Sequence, residues 1–278
     1  MTTLTFVVLL AVGSMCAGLV GALTGLGGGI MLVPLLTLGF GVNVRYAAGA
    51  SLVSVIATSS GAAASYVRDG YANIRLGMLL EVATTLGAVV GAVLAGYAST
   101  RVIEIIFGVV LLYSAFRAVK PDSDVHDREA ADPIATRLRL DGALPGPDGP
   151  QSYTVHRVPL GFSLMAVAGV LSGLLGVGSG AVKVLAMDQA MRLPLKVSTT
   201  TSNFMIGVTA AASAGVYLRR GYIDPVLALP VVLGVLAGAL VGARLLPTIR
   251  VSALRKVFGV AIAALAIEMI IKGAQGTP

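Results

Sequence analysis

The sequence predicts an all-α integral membrane protein built from two homologous helical repeats. Three observations lead there. Hydrophobic residues make up 56% of the 278 and charged residues only 12%, against about 25% charged in a soluble domain. Ten apolar segments follow one another, divided by a single long polar stretch. The chain also matches itself, without a gap, at an offset of 151 residues (176 − 25).

Composition excludes several classes. Mean hydropathy is +0.90, so the apolar exterior belongs in a lipid bilayer. The net charge of +7 is spread over loop-like positions with no dense basic run. That pattern carries topology information and is not a nucleic-acid footprint. Cys16 is the single cysteine, so no intrachain disulfide and no cysteine metal cluster can form. The start, Met1-Thr2-Thr3-Leu4-Thr5, lacks the basic region of a signal peptide, and the first apolar run is expected to stay as a span. Nothing calls for a metal or an organic cofactor. A homo-oligomer is compatible with the sequence.

Apolar segments cover residues 4–24, 29–40, 46–67, 74–97 and 101–119, then 158–175, 180–191, 195–218, 225–246 and 254–271. A span needs about 20 apolar residues, so about eight are long transmembrane helices. The two that follow glycine clusters, 29–40 and 180–191, are too short and read as broken or re-entrant helices. The clusters themselves are Gly25-Leu26-Gly27-Gly28-Gly29 and Gly176-Val177-Gly178-Ser179-Gly180. Such glycine density weakens a helix by about 1 kcal/mol per residue. A membrane chain accepts it where the freed backbone groups meet protein or line a wet cavity.

The self-match extends well beyond the glycines. Ala17-Gly18 pairs with Ala168-Gly169, Ser51 with Ser202, and Thr58 with Thr209. Tyr66, Arg68, Gly70 and Tyr71 pair with Tyr217, Arg219, Gly221 and Tyr222. Roughly a quarter of the aligned positions are identical, which supports an internal duplication. Residues 1–119 form the first repeat and 158–278 the second. Duplicated halves around discontinuous helices are a secondary-transporter arrangement.

Residues 120–157 form a polar linker expected outside the membrane. Thr136–Leu140 and Tyr153–Val158 alternate apolar and polar residues around a Pro/Gly-rich turn. They suggest a small β-hairpin, with disorder as the alternative. His126 and His156 are isolated in sequence and read as solvated. If the short segments are re-entrant, the halves are parallel; if all ten segments cross, the halves are inverted. The matched Arg68 and Arg219 favour the parallel arrangement, while the charge bias does not decide.

The glycine clusters have neither the spacing of a dinucleotide loop nor the Gly-Lys-Ser/Thr of a P-loop. A glycine break followed by a short helix instead offers unpaired N–H groups and a positive dipole end to an anion. Gly25, Gly27, Gly28 and Gly29 therefore form one half of a candidate substrate site, and Gly176, Gly178, Ser179 and Gly180 the other. The competing reading is close helix packing through small residues. Lys183 lies inside the second short segment with no acid at i±3 or i±4, which suits an anionic substrate. The alternative is a structural pair with Glu81 or Asp188. Glu81 is also a candidate proton-coupling carboxylate. Thr201, Ser202 and Asn203 lie in a polar run that can cap a helix or donate to an oxyanion, with Ser51 on the matching side. Arg45 and Lys196 match each other and read as entrance charges or lipid-facing anchors. No hydrolytic triad or HExxH motif lies in the apolar segments, so no enzyme is expected.

At these residues the chain resembles the TauE/SafE sulfite-exporter family of permeases. The family pattern is Gly-x-Gly-Gly-Gly-x-x-x-x-Pro followed by an Ala-x-x-x-Ser helix start. It is met by Gly25–Pro34 and Ala47–Ser51. In the second half, Ser179 replaces a glycine, Leu185 stands for the proline, and Lys183 and Asp188 stand for apolar residues. The resemblance implies a multi-pass protein of the cytoplasmic membrane that transports a small anion. A sulfur oxyanion such as sulfite, or an organosulfonate, is the implied substrate. An anion channel without alternating access and a non-transporting membrane scaffold are the alternatives.

Overall fold

The computed structural model describes residues 3–24, 28–68, 70–119, 132–144, 149–178, 180–245 and 251–275. Helix α1 (Thr3–Thr24) is followed by α2 (Gly29–Pro34), which runs into a π turn, Leu35–Gly39. Then come α3 (Val44–Arg68), α4 (Ile74–Tyr97) and α5 (Thr100–Val119). The linker holds α6 (Pro133–Leu138), β1 (Gly142–Leu144) and β2 (Gln151–Tyr153). After it come α7 (Val158–Leu175), α8 (Gly180–Leu185) with a π turn Ala186–Ala190, α9 (Leu195–Arg219), α10 (Pro225–Leu245) and α11 (Val251–Gln275). The pairs α2 and α8, the two π turns, and α3 and α9 all begin and end at the offset of the sequence self-match (180 − 29 = 186 − 35 = 195 − 44). Leu185 holds the position of Pro34, and the π turn forms all the same.

Helices Ile74–Tyr97, Val158–Leu175 and the stretch Pro225–Gly242 are long and apolar enough to cross a membrane, by length and composition. α4 shows how such a helix is built. Its buried face carries small residues, Gly77, Ala83, Gly87, Ala88, Gly91 and Ala92, while Met78, Val82, Leu86 and Val90 point outward. Water would drive the large side chains inward. In lipid, backbones approach through small residues and the large ones face the tails. Cβ atoms added at Gly87 and Gly91 would lie 2.2 and 2.0 Å from the carbonyl oxygens of Ala166 and Val170. Added at Gly234 and Gly238, they would lie 2.3 and 1.9 Å from those of Ala11 and Met15. α4 therefore packs directly on α7, and α1 on α10.

These contacts also fix the directions. Successive glycines meet successive residues in the α4/α7 and α1/α10 pairs, so both pairs are parallel. α5 and α11 are antiparallel, since Gly108 meets Ala266 and Ile270 while Gly273 meets Arg101 and Ile105. α3 and α9 are antiparallel too. Gly49 meets Tyr222, Gly207 meets Ser59, and Thr200 Oγ1 donates to Tyr71 O. The two halves therefore point in opposite directions, and the parallel arrangement favoured by Arg68 and Arg219 is replaced by the inverted one. The linker lies on the opposite side of the bundle from the start of α1.

In the linker, β1 and β2 pair antiparallel, with Gly142 opposite Tyr153 and Leu144 opposite Gln151. The strands sit closer to the turn than the alternating stretches suggested. Thr136–Leu138 is helical instead, because Asp132 caps the Ile134 N–H, Pro133 opens the first turn, and Arg139 at φ 52° closes it. His156 is buried rather than solvated, with Nε2 2.9 Å from Thr154 Oγ1. Ala135, Leu140 and Val155 join Leu76, Leu80, Met187 and Met205 in one apolar cluster. The linker thus seals the α4–α8–α9 end of the bundle.

Candidate functional site

Each short helix runs back along the helix before it, α2 along α1 and α8 along α7, with Gly28 near Gly18 and Met191 near Gly161, so the described glycines lie at the tips of two helical hairpins. Gly176 ends α7 at φ 71°, its N–H donating to Ser172 O. Gly178 also has φ 71°, a conformation that carries a steric penalty for other residues. A Cβ on Gly176 would strike Ala48 at 2.4 Å, and one on Gly178 would strike Ile206 at 2.8 Å. The first tip approaches the second. A Cβ on Gly29 would lie 3.2 Å from Val177 O, and both Gly29 and Gly178 face Val55 of α3. Gly25, Gly27 and Ser179 lie outside the described residues. Beside the tips is a small apolar cavity lined by Ile30, Phe107, Leu111, Leu175, Val177 and Val182.

The serines hold the tips. Ser51 Oγ donates to Gly29 O at 3.5 Å, and Ser202 Oγ donates to Gly180 O at 3.2 Å. Both side chains are buried. Their protons therefore serve the first residue of each short helix. Thr201 Oγ1 accepts from Asn73 N at 3.0 Å, and Asn203 is half-buried. The polar run at the start of α9 does not cap its own helix, whose N-cap is Pro194 with no side-chain bond. It docks α9 onto the loop that follows α3.

Lys183 is the one lysine of the buried core among the described residues, with 0% exposure. Its Nζ donates to Thr209 Oγ1, which in turn donates to Glu81 Oε1 at 2.6 Å. Thr85 Oγ1 donates to the same oxygen at 3.0 Å. Glu81 Oε2 lies 3.9 Å from Lys183 Nζ and has no hydrogen-bond partner. Of the two acids weighed as its structural partner, Glu81, buried on α4, is the one beside Lys183. Thr209 links the pair, and sequence reasoning missed that role. Its match to Thr58 was the only signal. The positions that match Lys183 and Glu81 in the other half are Leu32 and Val232 (183 − 151, 81 + 151), so the charges are present once.

Arg45 and Lys196 each reach across to the other half. Lys196 Nζ sits 3.8 Å above the Tyr71 ring, and the Arg45 guanidinium 5.7 Å from the Tyr222 ring centroid. Arg45 also donates to Ala95 O and Ala98 O at the end of α4. Matched cations thus rest on matched tyrosines of the opposite half.

Known proteins agree with a transporter. The chain is 24% identical to the probable membrane transporter protein YunE of Bacillus subtilis (strain 168), over 97% of this chain and 99% of that one. It is 26% identical to a probable membrane transporter protein of Xylella fastidiosa (strain 9a5c), over 97% of each chain. It is 26% identical to the probable membrane transporter protein YdhB of Bacillus subtilis (strain 168), over 82% and 85%. No solved structure matches. The family described as sulfite exporter TauE/SafE matches residues 10–269, nearly the whole chain, and the chain belongs to that family of membrane transporters.

Proposed function

We propose that this chain is a duplicated, inverted-repeat permease that carries a small sulfur oxyanion, sulfite or an organosulfonate, across the cytoplasmic membrane. The observation that carries this reading is Lys183, an ammonium with no solvent exposure beside a glycine-tipped hairpin, with a carboxylate oxygen 3.9 Å away. A charge at membrane depth costs about 2.5–3.5 kcal/mol on insertion scales, so it calls for a use. An anion entering between the hairpin tips meets backbone N–H groups of the glycine clusters and Lys183. In this reading Ser51, Thr201 and Ser202 shape the site mainly by holding backbone, with Asn203 beside them, and eight long helices plus two hairpin arms make up the membrane part.

Element boundaries that repeat at the self-match offset and run in opposite directions support the duplication, since such halves can exchange conformations across a midplane site. The hairpins are the moving parts. The described part of the extramembrane linker, through Ala135, Leu140 and Val155, closes one end. The test is saturable sulfite uptake into proteoliposomes holding the purified chain. Uptake that is present in the wild type and lost in Lys183→Met at equal protein abundance supports the reading. Wild-type vesicles no more permeable than empty ones would end it.

A further inference from the structure

Glu81 and Lys183 form an unusual buried pair. They are not directly hydrogen-bonded. Thr209 stands between Lys183 Nζ and Glu81 Oε1, and Thr85 donates to that same Oε1. All the hydrogen bonding to the carboxylate falls on Oε1, while Oε2 is buried and has none. A buried oxygen without a donor is costly as an anion. A proton on Oε2 would leave both threonine bonds to Oε1 in place. It would cancel only the Coulomb attraction that holds Lys183.

Resting on the transport reading above, we infer that Glu81 is the proton site of this transporter: a proton on Oε2 frees Lys183 for the anion, so each anion crosses together with one proton. The empty and the loaded site then carry the same charge. With Lys183 charged, the site holds either carboxylate alone or carboxylic acid plus a monoanion. Moving an uncompensated charge through the low-dielectric interior is avoided in both. The proton enters from the open side, rides on Oε2 and leaves on the other side. No covalent bond to the anion forms.

The surroundings leave Glu81 as the carboxylate in position. α7 carries no ionisable side chain. α9 carries Lys196, over the Tyr71 ring, and Arg219 at its other end. α8 carries Lys183 and its π turn Asp188, while α4 itself carries Arg75 at its start. The linker contributes Asp141, Tyr153 and His156 near that same start.

The test uses the full chain in proteoliposomes, sulfite as the probe, equal pH on both sides and imposed potassium diffusion potentials. Glu81→Gln cannot carry the proton, so it moves one more negative charge per sulfite than the wild type. Its equilibrium accumulation ratio is expected to change about tenfold more than the wild type's per 59 mV, whatever its rate. Identical potential dependence in the two proteins overturns the proposal. An infrared measurement covers a variant that folds poorly. Sulfite added at fixed pH is expected to increase a protonated-carboxyl band in the wild type and not in Glu81→Gln or Lys183→Met. A wild type without that band overturns the proton site. A sulfite-induced band without any flux upholds proton–anion linkage and ends the transport reading instead.

Discussion

Ser51 and Ser202 do the same work on opposite hairpins. They stand 151 residues apart, at the offset of the sequence self-match, and each donates to the carbonyl of the first residue of a short helix, Gly29 or Gly180. Losing such a hydrogen bond destabilises by about 1 kcal/mol. Ser202→Ala is expected to lower the thermal midpoint in detergent by more than Ser51→Ala, because its bond is shorter, 3.2 against 3.5 Å. Equal midpoints for wild type and Ser202→Ala would show that the tie holds nothing.

Gly176 and Gly221 share almost the same backbone angle, φ 71° and 72°, but different surroundings. A Cβ on Gly176 meets Ala48 at 2.4 Å, whereas one on Gly221 meets nothing within 4 Å. Alanine in the left-handed conformation costs about 1–2 kcal/mol. Gly221→Ala should show that strain alone. Gly176→Ala adds a collision between α3 and the second hairpin tip, and should give clearly less folded protein by size-exclusion chromatography. Similar yields from the two variants would mean that the hairpin tip can shift away from α3.

Much of this architecture was legible in the sequence. The offset that pairs Gly25 with Gly176 also pairs the boundaries of α2 with α8 and of α3 with α9. Glycine density announced the two reversals, because left-handed backbone at Gly176 and Gly178, with contacts closer than a Cβ permits, leaves glycine as the residue of choice. Direction was not legible. Arg68 and Arg219 match in sequence whether the halves are parallel or inverted, and the antiparallel packing of α3 on α9 and of α5 on α11 separates the two. Lys183 stood out because charge is rare in such segments. Its partner could be narrowed only to Glu81 or Asp188, because no local spacing connects Lys183 to α4, and Thr209, the residue that joins the pair, is an ordinary helix threonine. The tyrosines under Arg45 and Lys196 were visible as matched residues, yet their contacts cross between halves that no local spacing connects.

The same pair governs stability apart from transport. Removing one member of a buried ion pair leaves the other uncompensated and destabilises by about 3–5 kcal/mol, whereas replacing both can be nearly neutral. Lys183→Met and Glu81→Gln should each lower the thermal midpoint, and the double variant should recover most of the loss while staying inactive in sulfite flux. Thr209→Val removes the hydroxyl that both charges use and should fall between the single variants and the wild type. Additive losses in the double variant would show that the two charges are energetically independent.

The linker is fastened by Asp132 and Asn73, and the two fastenings respond differently to pH. Asp132 accepts from the Ile134 and Val158 amides at 2.8 Å each, tying α6 to the start of α7. Burial pushes its carboxyl pKa up and is the largest single influence. The amides of Val158, Ile134 and Ala135 and the nearby His156 together outweigh it, and the carboxyl ends below its ordinary 3.8. A depressed carboxyl stabilises the docked linker above its unfolded value and loses that effect as pH falls through the folded one. Hydrogen exchange at Val158 and Ile134 should therefore stay slow from neutral pH down to the ordinary carboxylate range and accelerate only below it. Asn73 donates through Nδ2 to Leu140 O and Tyr153 Oη and caps α4 through Oδ1 at the Leu76 amide, none of which titrates in that window. Asn73→Ala should loosen the hairpin to protease at every pH, and Asp132→Ala should raise exchange at Val158 already at neutral pH. Unchanged exchange in Asp132→Ala would show that the apolar cluster around Leu140 and Val155 holds the linker without the carboxylate.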